Sequence, residues 1–248
     1  MTDLGLAIGQ ARYENKVFWR NPQAAFFTLV FPIMFLVIFE LLFGNDGRAA
    51  TFFIPSLTTF AVITACFTNL AMTMAVARDQ GRLKRVRGTP LPTGAYLSGK
   101  IANSVILAAL LVVIMLVAGK LIYGADLSGV QWGPFVISLV LGAICFCSLG
   151  MAVFCFIPNE DAAPAVVNAS VLPLLFISDV FIPLSNAPGW LTTLSGIFPP
   201  IHFAHSLLHS FIADPTQPFD WWDVIVMAIW TAAGVAVALT RFSWEPRR

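Results

Sequence analysis

Long apolar runs separated by short polar breaks organise this chain. Several of them reach the roughly 20 residues an α-helix needs to cross a ~30 Å hydrocarbon core. The expected spans are 24–43, 52–77, 101–123, 132–157, 163–183 and 221–240. Pro32 should kink the first, which a membrane helix tolerates where neighbours satisfy the freed carbonyl. Pro164, Pro173 and Pro183 interrupt the fifth, which is expected to be broken or partly re-entrant. Trp132, Trp221 and Trp222 stand at expected helix ends, where amphipathic rings favour the interface. Ahead of the first span, residues 4–20 place Leu4, Ile8, Ala11, Phe18 and Trp19 on one helical stripe. Arg12, Lys16 and Arg20 follow at i, i+4 and i+8 beside it, the pattern of an interfacial helix. The fold class is all-α: one transmembrane domain over 1–248, with six spanning helices and an amphipathic amino-terminal interfacial helix.

Lys and Arg orient these spans. The amino end carries Arg12, Lys16 and Arg20, and the 78–100 segment carries Arg78, Arg82, Lys84, Arg85, Arg87 and Lys100. The carboxyl end carries Arg241, Arg247 and Arg248. With both termini and the 78–100 loop in the cytoplasm, only Arg48 and Lys120 of the 14 basic residues fall outside. That arrangement needs an even number of spans, which favours six over five or seven. The 184–220 segment then faces outward, and it holds no Lys or Arg.

With 58% hydrophobic and 11% charged residues, a water-soluble fold is excluded as an ordinary reading. A net charge of +1 argues against nucleic acid as a partner. Cys66, Cys145, Cys147 and Cys155 all lie within apolar runs and read as small buried hydrophobes rather than zinc ligands. The first apolar run is too long for a signal-peptide core, so it should remain as the first membrane helix.

Several motifs invite sharper readings. Gly94 to Lys100 has the Gly, four residues, Gly-Lys spacing of a phosphate-binding loop, but Ile101 stands where a magnesium-binding Ser or Thr is needed. The match reads as a coincidence of spacing. His202, His205 and His209 can share one helical face, which suggests a metal site. The plainer reading is an outward amphipathic helix with polar residues toward water, and no metal site is assigned. No nucleophile elbow, zincin motif or embedded carboxylate pair points to catalysis. Glu40 and Asp179 are acids inside expected spans, both near outer ends. They read either as interfacial carboxylates reaching water or as lining of an outward cavity that favours cationic or hydrogen-bonding cargo.

Residues 78–92, from Arg78-Asp79-Gln80-Gly81 through Thr89-Pro90-Leu91-Pro92, then Gly99-Lys100, resemble the loop of type-2 ATP-binding-cassette exporter permeases. These include drug, polysaccharide and nodulation-factor export proteins. A second stretch is similar: Asn159-Glu160-Asp161, then Ser178-Asp179-Val180-Phe181-Ile182-Pro183, Pro188-Gly189-Trp190-Leu191 and Pro199-Pro200-Ile201-His202. Asp179 departs from the small residue common in such proteins, so no cargo is carried over.

The resemblance implies a multi-pass permease of the plasma (bacterial inner) membrane, paired with a second permease as a homodimer or heterodimer. A separate cytoplasmic ABC ATPase would bind the ATP and magnesium, this chain binding no cofactor itself, with membrane lipids as further partners. The amino-terminal helix, with Arg12, Lys16, Phe18, Trp19 and Arg20, and the 78–100 loop would contact that ATPase. The coupling residues would be Arg82, Leu83, Lys84, Arg85, Val86 and Arg87, with Leu83 and Val86 at i, i+3 offering an apolar ridge to a partner groove. The 184–220 segment would form short outward helices over the pathway, which Glu40, Asp179 and Phe181 would line. The competing classes are an ion-coupled carrier, a membrane-embedded enzyme and a non-transporting scaffold. Against the carrier, the irregular helix occurs once and the acids lie off-centre.

Overall fold

A computed structural model describes residues 3–43, 49–125, 127–178, 180, 188–211 and 220–245. Those residues form helices and no strand. Helix α1 (Asp3–Trp19) precedes α2 (Pro22–Phe43), which opens on a proline whose missing N–H costs nothing in a first turn. Helix α3 (Ala49–Ile63), a π-helical turn (Thr64–Thr68) and α4 (Asn69–Asp79) run on as one span. Then come α5 (Arg82–Arg87), α6 (Thr93–Tyr123), α7 (Trp132–Phe154), α8 (Ala163–Phe176), α9 (Gly189–Ser195), α10 (Pro199–Phe211) and α11 (Trp221–Arg241).

Five helical stretches among the described residues are long and apolar enough to cross a membrane: Ala25–Leu42, Phe52–Asp79, Thr93–Tyr123, Trp132–Phe154 and Trp221–Arg241. Helix α8 is the short sixth, with 14 residues in place of the expected 163–183. Pro173 removes a donor from its last turn, and the helix ends at Phe176 with the Ile177 amide donating to the Pro173 carbonyl at 3.2 Å. The fourth span also stops earlier than expected, at Phe154, and Cys155 to Ile157 tighten into i→i−3 bonds.

The expected 78–100 loop is mostly helix. Gly81, in the left-handed region at φ +68°, turns the chain from α4 into α5, a conformation that favours glycine. Helix α6 begins at Thr93 and extends for 31 residues, about 46 Å at the α-helical rise, so its first turns extend past a hydrocarbon core.

Without a hydrophobic drive between helices in lipid, close approach at small residues holds such a bundle together. Helix α7 is central. Its Gly142 faces Phe203 of α10, where an added Cβ would lie 2.3 Å from the ring, and its Ser148 faces Gly234 of α11 at 2.7 Å from such a Cβ. Gly150 of α7 lies against the π turn, with 2.8 Å between a built Cβ and the Phe67 carbonyl oxygen. The bulged backbone is accommodated because no side chain stands there. Cys66, Cys145, Cys147 and Cys155 are all buried and form no disulfide among the described residues.

These contacts define two ends. The basic end gathers α1, the end of α4, α5 and the starts of α6 and α8, while α9, α10 and the starts of α7 and α11 form the opposite end.

Candidate functional site

At the basic end, α5 projects Arg82, Lys84, Arg85 and Arg87 to solvent, while Leu83 is fully buried and Val86 half-buried against the core. This corrects the ridge expected of Leu83 and Val86: the apolar side of α5 turns inward to anchor it, and its cations are what it presents. Gln80 restrains them, accepting from Arg82 Nη2 at 2.6 Å on its side chain and from Arg85 Nη2 at 3.2 Å on its carbonyl.

The base of α5 is fixed by groups that sequence counted only as loop charges. Arg78 is fully buried, donates to the Ile157 and Pro158 carbonyls just past α7, and stacks 4.8 Å from the Phe154 ring centroid. Asp79 accepts from the Glu160 amide at 3.1 Å, and Gln80 donates to the Glu160 carboxylate at 3.1 Å. Two distant segments thus lock together beneath α5.

Lys100 is another loop charge that the fold internalises. It pairs with Glu14 of α1 at 2.8 Å, with side-chain exposures of 7% and 11%. One position earlier, Gly99 lets the helices touch, since a Cβ there would lie 2.6 Å from Gln10 Cβ. Gly94 to Lys100 is therefore helix, without the turn that cradles phosphate. On α1, Ala11 and Phe18 are buried, but Leu4, Ile8 and Trp19 of the expected apolar stripe are exposed. Arg12, Lys16 and Arg20 are exposed beside them.

Between α2, the π turn and α8 lies a groove of about 530 Å³. Phe27, Phe31 and Phe60 give it aromatic walls, and Thr64, Thr68, Asn69 and Asn168 supply hydrogen-bonding groups. A π turn re-aims side chains that a regular helix would rotate away, and here three of the five polar lining residues lie on it or next to it. An apolar cleft with few polar groups suits an amphipathic ligand. Sequence reasoning missed this set; the signal available was Thr64, Thr68 and Asn69 at helical spacing inside an apolar span, with Asn168 in another.

The residues nominated for the pathway fare differently. Glu40 is half-buried near the end of α2, one turn past Leu36, whose carbonyl accepts the Tyr123 hydroxyl at 3.1 Å. Asp179 and Phe181 lie outside the described residues.

At the opposite end, His202 is turned away from the shared face expected of the three histidines. Its Nδ1 lies 2.6 Å from Asp223 Oδ1 on α11 and its Nε2 lies 2.8 Å from the Gly196 carbonyl, while His205 and His209 stack with each other at 6.3 Å. A neutral ring carries one N–H, so two acceptors call for the imidazolium. Burial pulls the His202 pKa down, but the bonds from Asp223 and Gly196 and the charges of Asp223 and Asp220 outweigh it, and the net shift is upward. Asp223 is 21 residues away and invisible to any helical-spacing search.

Residues 11–212 match the family model described as ABC-2 type transporter. The chain is 26% identical over 198 residues to the transport permease YvfS of Bacillus subtilis, covering 78% of this chain and 80% of that protein. It is 26% identical over 195 residues to the multidrug ABC transporter permease YbhR of Escherichia coli, covering 77% of this chain and 52% of that protein. It is 27% identical over 225 residues to the daunorubicin resistance ABC transporter permease protein DrrB1 of Streptomyces coeruleorubidus, covering 84% and 74%.

Proposed function

The chain belongs to the ABC-2 type transporter family, and on that premise we propose that it is the permease subunit of an ATP-driven exporter. It is an integral membrane protein with a transport role, set in the bacterial inner membrane with both termini in the cytoplasm. It moves an amphipathic drug-like or lipid-linked substrate outward. ATP and magnesium act in a separate cytoplasmic ABC ATPase, and a second permease completes the pathway.

The observation that carries this reading is the build of the basic end. Four exposed cations on α5 stand on a base fixed by Leu83, Arg78 and Asp79, so force applied to α5 reaches the ends of α4 and α7 without a flexible joint. Dispersed lipid-facing charges need no such base. Helix α1 follows through Glu14 and Lys100. The aromatic and amide-lined groove is the cargo surface, with Glu40, Asp179 and Phe181 lining the outward exit.

The test is co-reconstitution with a candidate ATPase. Reversing Arg82, Lys84, Arg85 and Arg87 to Glu is expected to abolish copurification and cargo-stimulated ATP hydrolysis while membrane insertion persists. Undiminished ATPase binding would sink the coupling role of α5. Cargo movement driven by an ion gradient without ATPase would replace the whole reading with an ion-coupled carrier.

A further inference from the structure

A trough of about 610 Å³ runs between α1 and the first turns of α6 on the face away from the Glu14–Lys100 pair. It exists because the helices touch at Gly99 yet present small side chains beside that contact: Ala7 and Ala11 on α1, Ser98 and Ala102 on α6. Its flanks are apolar and open, with Ile8 48% and Ile106 50% exposed. Arg12 stands on its wall, Asn15 beside it, and no carboxylate among the described residues lines it. Glu14, the acid nearest in sequence, is engaged by Lys100 and lines the separate small cavity behind. Among the described residues Arg12 forms no hydrogen bond or ion pair, and Lys16 adds a second exposed cation one turn on.

We propose that this trough is a binding site for one anionic phospholipid. The guanidinium of Arg12 takes the phosphate diester by charge-assisted bonds, Asn15 and Ser98 face the glycerol region, and an acyl chain lies along Ala102 and Ile106. An exposed cation above an apolar channel that continues along a spanning helix complements an amphiphile with a negative head and matches neither a soluble anion nor a protein surface. The site goes beyond the exporter reading and divides the basic residues by partner: α1 holds lipid and α5 holds the ATPase. Only the choice of leaflet rests on the orientation proposed above, and lipid retention is measured without it.

Native mass spectrometry of the full-length chain in mild detergent, titrated with phosphatidylglycerol or phosphatidylcholine, reads the site directly. One phosphatidylglycerol should be retained in preference to phosphatidylcholine. Arg12→Gln should weaken that retention about tenfold, the loss of one charge-assisted contact. Ala102→Phe, which fills the trough without touching charge, should weaken it as well, and Arg87→Gln on α5 should not. Each variant is checked for an unchanged elution profile and helical circular dichroism, and Arg12→Met serves if Arg12→Gln does not fold. Equal retention of both lipids, or retention indifferent to Arg12 and Ala102, would mean annular lipid only and overturns the site. Loss of ATPase copurification in Arg12→Gln with lipid retention intact would assign Arg12 to the ATPase face instead.

Discussion

At the basic end, three contacts between distant segments each use a charged side chain with a fixed counterpart: Lys100 with Glu14, Arg78 with the Ile157 and Pro158 carbonyls, Asp79 with the Glu160 amide. At the opposite end, rings do much of this work, with Phe203 against Gly142, Phe135 against Phe211 at 5.7 Å and the Trp230 indole donating to the Ile197 carbonyl at 2.8 Å. Its one buried ion pair is His202 with Asp223 among the described residues. Lys100, Arg78 and Asp79 are each answered within the fold, and the exposed cations of α5 and α1 take no part in those contacts and present their charge to partners. Among the described residues the opposite end presents one exposed cation, Lys120, and the His202 of its ion pair titrates.

The largest effect is expected at Lys100. Lys100→Met strands Glu14 in a nearly dry site and is expected to cost about 3–5 kcal/mol, measured as thermal unfolding in micelles. Lys100→Met with Glu14→Gln should recover much of that loss. A single variant as stable as the parent would show the pair to be wet and dispensable. The next effect is steric and lies between the ends. Gly150→Leu drives a side chain into the Phe67 backbone and should cost about 1–3 kcal/mol, with altered cargo selection as the π turn shifts. Gly133→Ala, with open space around it, is the control and should not destabilise.

A pH titration sharpens the contrast between the ends. His202 has a pKa raised above its ordinary 6.5, so its contribution is fully present below 6.5 and is lost as pH rises through the folded value. Thermal stability at the opposite end should fall across that window, read by hydrogen exchange on α10, and His202→Gln should flatten the curve. A parent protein with no pH dependence there would contradict the imidazolium. The smallest expected effect is Tyr123→Phe, which removes one hydrogen bond to Leu36 and should cost about 1 kcal/mol in the same unfolding assay.

Much of the fold was legible from hydropathy, because a span of apolar residues has few alternatives in a bilayer. Helix α2 covers nearly the expected first span, and α7 and α11 start at Trp132 and Trp221 as expected. The fifth span was anticipated as irregular through its prolines, and the break falls after Pro173. Less was legible of the site. Counting Arg78 and Lys100 as loop charges followed from their sequence neighbours, and only distant partners, Ile157 and Glu14, draw them inside. Leu83 and Val86 at i, i+3 correctly mark one face of a short helix, but spacing is blind to whether that face meets a partner or the chain's own core.

Sequence alone determined the solvent, the helical class, the approximate spans and the side on which positive charge collects, since each depends on local hydropathy and charge, which sum along the chain. Tertiary structure decided which cations are structural and which are exposed. It also decided that Gly150 admits a π turn, that Thr64, Thr68 and Asn168 share a groove, and that His202 meets Asp223 rather than His205. Those outcomes rest on contacts between residues tens of positions apart, and such contacts are set by how helices cross, which no local pattern encodes.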